Sequence, residues 1–501
     1  MDSVADLLAN LDISKSSGVD DISARMLKST AYSIAPSLTE LFNLSLTSGT
    51  FPSEWKLARV VPIPKTDTPS TSTSGYRPIS ILPIVSKVLE RHVKEIIDDY
   101  LAENSPISNH QWGFMHHRSS TSALISVIHD WLNALDNGQE VCVVFFDVRK
   151  AFDSVPHIPL LQKLSDIGLN PFILRWIKSY LTNRKQFVVV DGSSSTPLQV
   201  LSGVPQGSVL GPLLFIIYIN DVVSQISGGS KINLFADDIA LYRIINSADD
   251  YERLQDDINA VSSCLAAKHL NLNSGKCCYL LLSRKRALSI PPPTLLLNGD
   301  HLVSVTSYKY LGVLITSNLM WSSHITNVCN KTRRLIGILY RRFYKHSSPD
   351  TLLRLYTSFI RPHLEYATAA WDPFLKKDIS LLEDVQKFAL RVCTKSWDTN
   401  YSDLLVKTHL PSLQARRQQT KLCNLFNMVN HLTFFPDAPI QARQLCYPSR
   451  SVHARALVPL QTHSSQYHNS FFPSAITAWN SLSFETASNT SLSSFKSALC
   501  L

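Results

Sequence analysis

The sequence predicts an α+β fold, and three observations carry that prediction. An apolar run, Val141–Phe146, has strand character and ends in Asp147. A second apolar stretch reads as a hairpin, Ile232–Ala236 and Ile239–Tyr242, with Asp237 and Asp238 at its bend. Leu382–Arg391 instead repeats its apolar positions at helical spacing, and Leu335, Ile336, Ile338 and Leu339 lie among cations as on a two-faced helix. At 501 residues the chain is too long for one ordinary core, so several subdomains are expected.

Val141–Phe146 lacks the polar alternation of a half-solvated strand, which suits burial on both faces. An Asp-Asp pair alone is most often a plain acidic turn. The upstream Asp147 changes the weighing. If the two strands are neighbours, three carboxylates meet at one sheet edge, where they repel unless paired or bound to a cation. Such a site suits divalent metal and a phosphoryl transfer clamped by two ions.

The rest of the chain narrows the class. A 45% apolar and 17% charged composition is globular. The most apolar stretch, Pro212–Ile219, stops at Asn220-Asp221 and reads as a core helix; no run is long enough to span a bilayer, and no membrane partner is expected. Nine scattered cysteines form no C-x-x-C pair, which argues against zinc knuckles and a disulfide framework. With no secretory pattern or other targeting signal at the start, reduced thiols in an intracellular setting are expected. The net charge of +9 is unevenly spread. Residues 1–321 hold 27 Lys+Arg against 29 Asp+Glu, whereas residues 322–501 hold 21 against 10. Lys331, Arg333, Arg334, Arg341, Arg342 and Lys345 form either a solvated face or a grip for nucleic-acid phosphates.

The motifs taken together resemble the reverse transcriptase of non-LTR (LINE-type) retrotransposons, nearest the jockey and CR1-like groups. The resemblance rests on Phe146-Asp147-Val148-Arg149-Lys150-Ala151-Phe152-Asp153-Ser154-Val155, on Phe235-Ala236-Asp237-Asp238, and on the long run Ser202-Gly203-Val204-Pro205-Gln206-Gly207-Ser208-Val209-Leu210-Gly211-Pro212-Leu213-Leu214-Phe215 between them. Ser17-Gly18-Val19-Asp20, Trp55–Lys65 and Tyr76-Arg77-Pro78-Ile79-Ser80 match the family's opening motifs, and Phe471-Phe472-Pro473 with Trp479-Asn480-Ser481-Leu482 matches its tail.

The resemblance implies a right-hand polymerase of fingers, palm and thumb with an antiparallel palm sheet, followed by a mainly helical basic C-terminal region. Residues 1–125 would supply the fingers, 126–321 the palm, 322–432 the thumb and 433–501 a tail, irregular over 433–474. It implies RNA-directed DNA polymerase activity: a primer 3′-hydroxyl attacks a deoxynucleotide, with two Mg²⁺ ions (or Mn²⁺) held by Asp147, Asp237, Asp238 and the Val148 carbonyl. Lys65 and Arg77 would meet the triphosphate on two short strands whose connection, Asp67–Ser74, reads as a hairpin tip. Phe152 would lie under the sugar, Gln206 and Gly207 beside the nucleotide, and Lys276 would protonate the leaving pyrophosphate. Phe152 as a core ring and Lys276 as a surface lysine remain the alternatives for those two. Gln111 and Gly113 fall in a template-side motif, where this chain has Trp112 and Met115 in place of the family's usual Phe and Arg. Tyr310, Leu311 and Gly312 fall in a primer-holding hairpin, and Arg333, Arg334, Arg341 and Arg342 in the thumb.

Implied partners are an RNA template, a DNA primer and the RNA–DNA duplex, and dNTPs. The opening motif begins almost at Met1, so the chain reads either as a truncated element copy or as a polymerase separated from its nuclease; in the second case an endonuclease is supplied in trans, and the protein is expected to be nuclear when engaged on target DNA. A catalytically silent nucleic-acid-binding protein and a maturase-like splicing cofactor are the rival readings. The three aspartates argue against the first, and the lack of a recognisable maturase region against the second.

Overall fold

In the computed structural model the described residues are 2–65, 71–104, 107–285, 288–443 and 453–499. The strand expected before Asp147 runs Glu140–Asp147 and is the middle of a five-stranded sheet. The sheet order is Val303–Val305, Cys278–Leu282, Glu140–Asp147, Asp238–Ile245, Ser230–Phe235. All pairs are antiparallel except the outer one, in which Val303–Val305 runs parallel to Cys278–Leu282. The expected all-antiparallel sheet therefore holds for four of its strands.

The middle strand is buried along its length. Successive side chains of a strand point to opposite faces, so its apolar residues divide between two cores. Cys142, Val144 and Phe146 join one with Trp176, Leu214 and Tyr218. Val141, Val143 and Phe145 join the other with Trp131, Ile325 and Trp371. The first core is closed by the helix Leu210–Ile219, which is apolar on all sides and buried nearly throughout. Such a helix belongs in an interior. The second is closed by Ser120–Asp136 and by the helices beyond residue 321.

A second sheet pairs Leu57–Pro64 antiparallel with Tyr76–Ile81 and parallel with Lys185–Val190. The fingers-side sheet thus borrows a strand from far beyond residue 125. The tip expected over Asp67–Ser74 lies partly outside the described residues. Past residue 321 the chain is helical, with Ser322–Phe343, Lys376–Thr394 and Leu413–Val429 the longest elements. The stretch expected to be irregular over 433–474 contains the short helix Ser465–His468 and the start of Phe471–Asn480. These form because Tyr467, Phe471 and Phe472 pack into the second core. No helix among the described residues is long and apolar enough to cross a membrane.

One buried acid ties the two sheets' supports together. Glu90, on the helix Ile84–Asn104, is wholly buried. Its carboxyl accepts from the Val209 and Leu210 amides at 2.8 and 3.2 Å, from Ser86 at 3.0 Å and from Tyr180 at 3.3 Å. The first two are unsatisfied donors at the start of the apolar helix, where negative charge is favoured. Glu90→Ala should lower unfolding free energy by about 2–4 kcal/mol, because it strands several buried donors at once. Urea unfolding beside Glu90→Gln, which keeps two acceptor lone pairs, checks this: Gln should cost less than Ala.

Candidate active site

The register of the middle strand builds the site. Asp147 pairs directly with Asp238, and Phe235 closes the hairpin opposite Asp238. Only Ala236 and Asp237 are left for the turn. Ala236 takes the left-handed conformation (φ 57°), which L-residues other than Gly, Asn and Asp seldom adopt. The three aspartates thus meet at one lip of the sheet, as expected from the two separated motifs.

Their electrostatics follow from that crowding. Withdrawal from bulk water, and then the charge of Asp147, push the Asp237 carboxyl above its ordinary value, while Arg77 pulls it back. Asp238 rises to about 6, through the same loss of hydration and the charges of Asp237 and Asp147. Its outer surface nevertheless meets solvent, so the carboxyl is crowded rather than sealed. Asp147 is held from behind: Asn273 Nδ2 donates to its carboxyl at 3.2 Å, and Lys276 Nζ lies 3.7 Å away. Its amide donates to Cys277 Sγ at 3.3 Å. Backbone bonds of Asp147 and Arg149 with Asn273 and Asn271 bracket Val148 in an antiparallel bridge to Leu272. They leave the Val148 carbonyl outside the bridge.

Gln111 and Gly113, grouped by sequence with template contacts, sit underneath the turn. Gln111 is wholly buried. Its Oε1 accepts from the Gly113 amide at 2.9 Å and the Ala236 amide at 3.0 Å. A Cβ at Gly113 would fall 2.5 Å from the Ala236 nitrogen, so only glycine allows this approach. Both residues support the acidic turn, and the Gln111 side chain is closed off from solvent. Trp112 is likewise buried, its ring edge-on to Phe435, and Met115 packs against the first core.

Beside Gln206 the structure adds a residue that sequence reading passed over. Gln206 Nε2 donates to Asp153 at 2.9 Å. Burial raises the Asp153 carboxyl, opposed by that hydrogen bond and by the charges of Lys150 and Lys65. Lys65 therefore acts on Asp153, whereas Arg77 acts on Asp237 and Asp238. The signal for Asp153 was its place next to Phe152 in the quoted motif. The Phe152 ring is stacked on Phe215 at 4.6 Å and edge-on to Phe114 at 6.1 Å, with some surface left open. Gly207, at φ 123°, lies against the Ser80 carbonyl of the second sheet.

The hairpin Ser307–Tyr310 and Val313–Thr316 turns at Leu311 and Gly312, both with positive φ. Tyr310 is buried, with its hydroxyl donating to Asn233 at 3.1 Å, so its role is to seat the hairpin on the acidic strand pair. Leu311 is half-buried, and its carbonyl accepts from Tyr366 at 3.0 Å. Arg333, Arg334, Arg341 and Arg342 are exposed along Ser322–Phe343, and Ile336 and Leu339 are buried beneath them. Ile338, expected on the apolar face, is 47% exposed because it falls on the cationic side of the helix.

Comparison with known proteins fits this geometry. Residues 63–315 match the family described as reverse transcriptase (RNA-dependent DNA polymerase). A probable RNA-directed DNA polymerase from transposon X-element of Drosophila melanogaster is 30% identical over 397 residues, covering 78% of this chain and 43% of that protein. The RNA-directed DNA polymerase from mobile element jockey of the same species is 27% identical over 83% of this chain and 46% of its own length. The chain thus spans under half the length of these relatives. A solved telomerase from Candida albicans is 12% identical, with a TM-score of 0.42 over 74% of this chain and 68% of its own, a likeness on which nothing further is built.

The raised Asp238 has a pH consequence. Its folded pKa of about 6 exceeds the ordinary 3.8, so the stability it lends is present at low pH and is lost as pH rises through about 6. In chelator, Asp238→Asn should melt above the unchanged protein at pH 7, and the two should converge near pH 4. Solvent screening keeps the gap modest. Melting curves across that range, with Asp238→Asn below the parent at pH 7, would refute the crowding described here.

Proposed function

Since the chain belongs to the reverse transcriptase (RNA-dependent DNA polymerase) family, we propose that it is the RNA-directed DNA polymerase of a non-LTR retrotransposon. The observation that carries this is the pairing of Asp147 with Asp238 beside the Asp237 turn. The substrates are a primer 3′ end paired to an RNA template and a deoxynucleoside triphosphate.

The donor set suits a hard divalent cation, since it consists of carboxylate oxygens whose mutual repulsion such a charge would relieve. Among the described residues no three His, Cys, Asp or Glu side chains form a ready-made cation cage. Mg²⁺ is a hard divalent cation, commonly held by one or two carboxylates and completed by water and substrate phosphate. Asp147, Asp237 and Asp238 would hold it, with Mn²⁺ as a substitute and two ions as the working number. When bound, it would acidify the primer hydroxyl and offset charge on the reacting phosphate.

The chain's own groups do the rest. Arg77 supplies a cation beside the aspartates, where charge develops on the triphosphate. Gln206 is fixed by Asp153 and offers its remaining amide face to the nucleotide. Phe152, which keeps some open surface, would serve as the ring that a 2′-hydroxyl meets. Lys276 is two-thirds exposed and held loosely by Asp147, so it can swing to deliver a proton to the departing pyrophosphate. The exposed arginines of Ser322–Phe343 would lie along duplex phosphates.

Asp237→Asn should cut primer extension on an RNA template by roughly a hundredfold or more, with its melting temperature in chelator no lower than the parent's. The parent should also gain more melting temperature from Mg²⁺ than the variant does. Near-parental extension by the pure variant in Mg²⁺ would sink the assignment.

Changing Arg333, Arg334, Arg341 and Arg342 together to Ala should weaken duplex binding at all sequences and flatten the log–log dependence on salt, since each lost phosphate contact removes about one released counterion. Binding titrations at several salt concentrations test it. An unchanged slope would mean that another surface holds the duplex.

A further inference from the structure

The acidic turn is underpinned by residues 108–118, which contain no helix or strand of their own. The segment joins the sheet edge through one residue. The Leu234 amide donates to the His110 carbonyl at 2.9 Å, and the Trp112 amide to the Leu234 carbonyl at 2.7 Å. Gln111, between them, reaches the Ala236 amide. An irregular segment that holds a strained turn must itself be held.

Two things hold it. Arg118 donates to the carbonyls of Ser108, Asn109 and Gln111 at 3.1, 3.1 and 2.5 Å, drawing the segment into a loop around its guanidinium. The second support comes from far along the chain. The Phe434 amide donates to the His117 carbonyl at 2.9 Å, and His117 Nδ1 lies 3.1 Å from the Leu432 carbonyl. The Phe434 ring lies 3.7 Å from the Arg118 guanidinium, covering its face. The Phe435 ring is edge-on to Trp112 at 5.6 Å and to Phe472 at 5.4 Å. Phe472 is wholly buried in the second core. An unbroken chain of contacts therefore runs from that core, through Phe435 and Phe434, to Trp112, Arg118 and Gln111, and on to the Ala236–Asp237 turn.

We propose that Leu432–Phe435 is a strap that positions the acidic turn, with Phe434 and Phe435 as positioning residues for nucleotide addition. The cation–π contact holds Arg118 in its loop of carbonyls, and the Trp112 contact fixes the backbone that places Gln111. Loosening the strap should let the turn leave its left-handed conformation and misplace Asp237 and Asp238. A misplacement of about 1 Å is enough to slow a positioned reaction a hundredfold. The loss should fall on kcat and leave the KM for nucleotide nearly unchanged, because Arg77 and Gln206 are held by other contacts.

The inference rests on the polymerase reading, so the full chain needs two readouts. Phe434→Ala/Phe435→Ala should lower kcat on a primed RNA template at least tenfold, with KM for dNTP within twofold. Phe434→Tyr, which keeps a ring over Arg118, should retain near-parental kcat. Hydrogen exchange gives the activity-independent readout. Peptides spanning 108–118 and 230–238 should exchange faster in the double variant, while those covering 140–147 stay protected. If the double variant unfolds, Phe434→Leu, which keeps bulk and removes the ring, should show the same local pattern more weakly. Parental kcat and parental exchange at 230–238 would overturn the strap. An inactive parent that still shows the local exchange change would instead overturn the polymerase reading and leave the strap standing.

Discussion

Glu140–Asp147 has no solvent face, and that condition governs the rest of the molecule. Each of its side chains must be met by apolar groups on one side or the other, so two cores have to form, one per face. Both flanking strands must also pair with it to satisfy its amides and carbonyls. Its two carboxyls stand at its ends: Glu140 is buried and accepts from Ser283 and the Ser289 amide, both at 3.1 Å, while Asp147 stands where the strand emerges. Because the neighbouring strand is in register, its own emerging residue, Asp238, is forced to the same lip. The acidic cluster is therefore a consequence of how the sheet is buried, and its repulsion is the cost of that placement.

That cost explains the surroundings. Arg77 opposes the raised carboxyls from the second sheet, and Lys276 with Asn273 steadies Asp147 from the neighbouring loop. Three elements distant in sequence thus converge on one charged spot. Glu90 does the same for the apolar helix, putting a buried carboxyl where the helix start leaves amides without helical partners. In both places a charge out of water is tolerated because partners of the right polarity have been brought to it.

The sequence made the acidic hairpin, the middle strand, the core helix Leu210–Ile219 and the basic helix legible, since each writes its burial into a local pattern. Residues whose role depends on distant partners were not legible that way. Gln111 was grouped with template contacts only through the resemblance of its motif. Only the fold shows that its acceptor is used up by the Ala236 amide. Ile338 was assigned by its neighbours, yet helix rotation put it among the arginines. The parallel pairing of Lys185–Val190 with Leu57–Pro64 joins segments well over 100 residues apart, and no short-range pattern encodes that. The Trp112 departure also makes sense only in three dimensions, where its ring meets Phe435.

The contacts of Phe434 and Phe435 with residues 112–118 also set an order in time. Roughly 200 residues separate Asp237 from Phe434, and a ribosome adding about 5–20 residues per second needs roughly 10–40 s to make them. During that interval the nascent chain already carries all three aspartates, but the loop beneath them has Arg118 and its bonds to Leu234 and Asn220 without the aromatic cover of Phe434 and Phe435. The site is completed late in translation, so a chain abandoned before residue 432 would emerge with its acids present and their support missing.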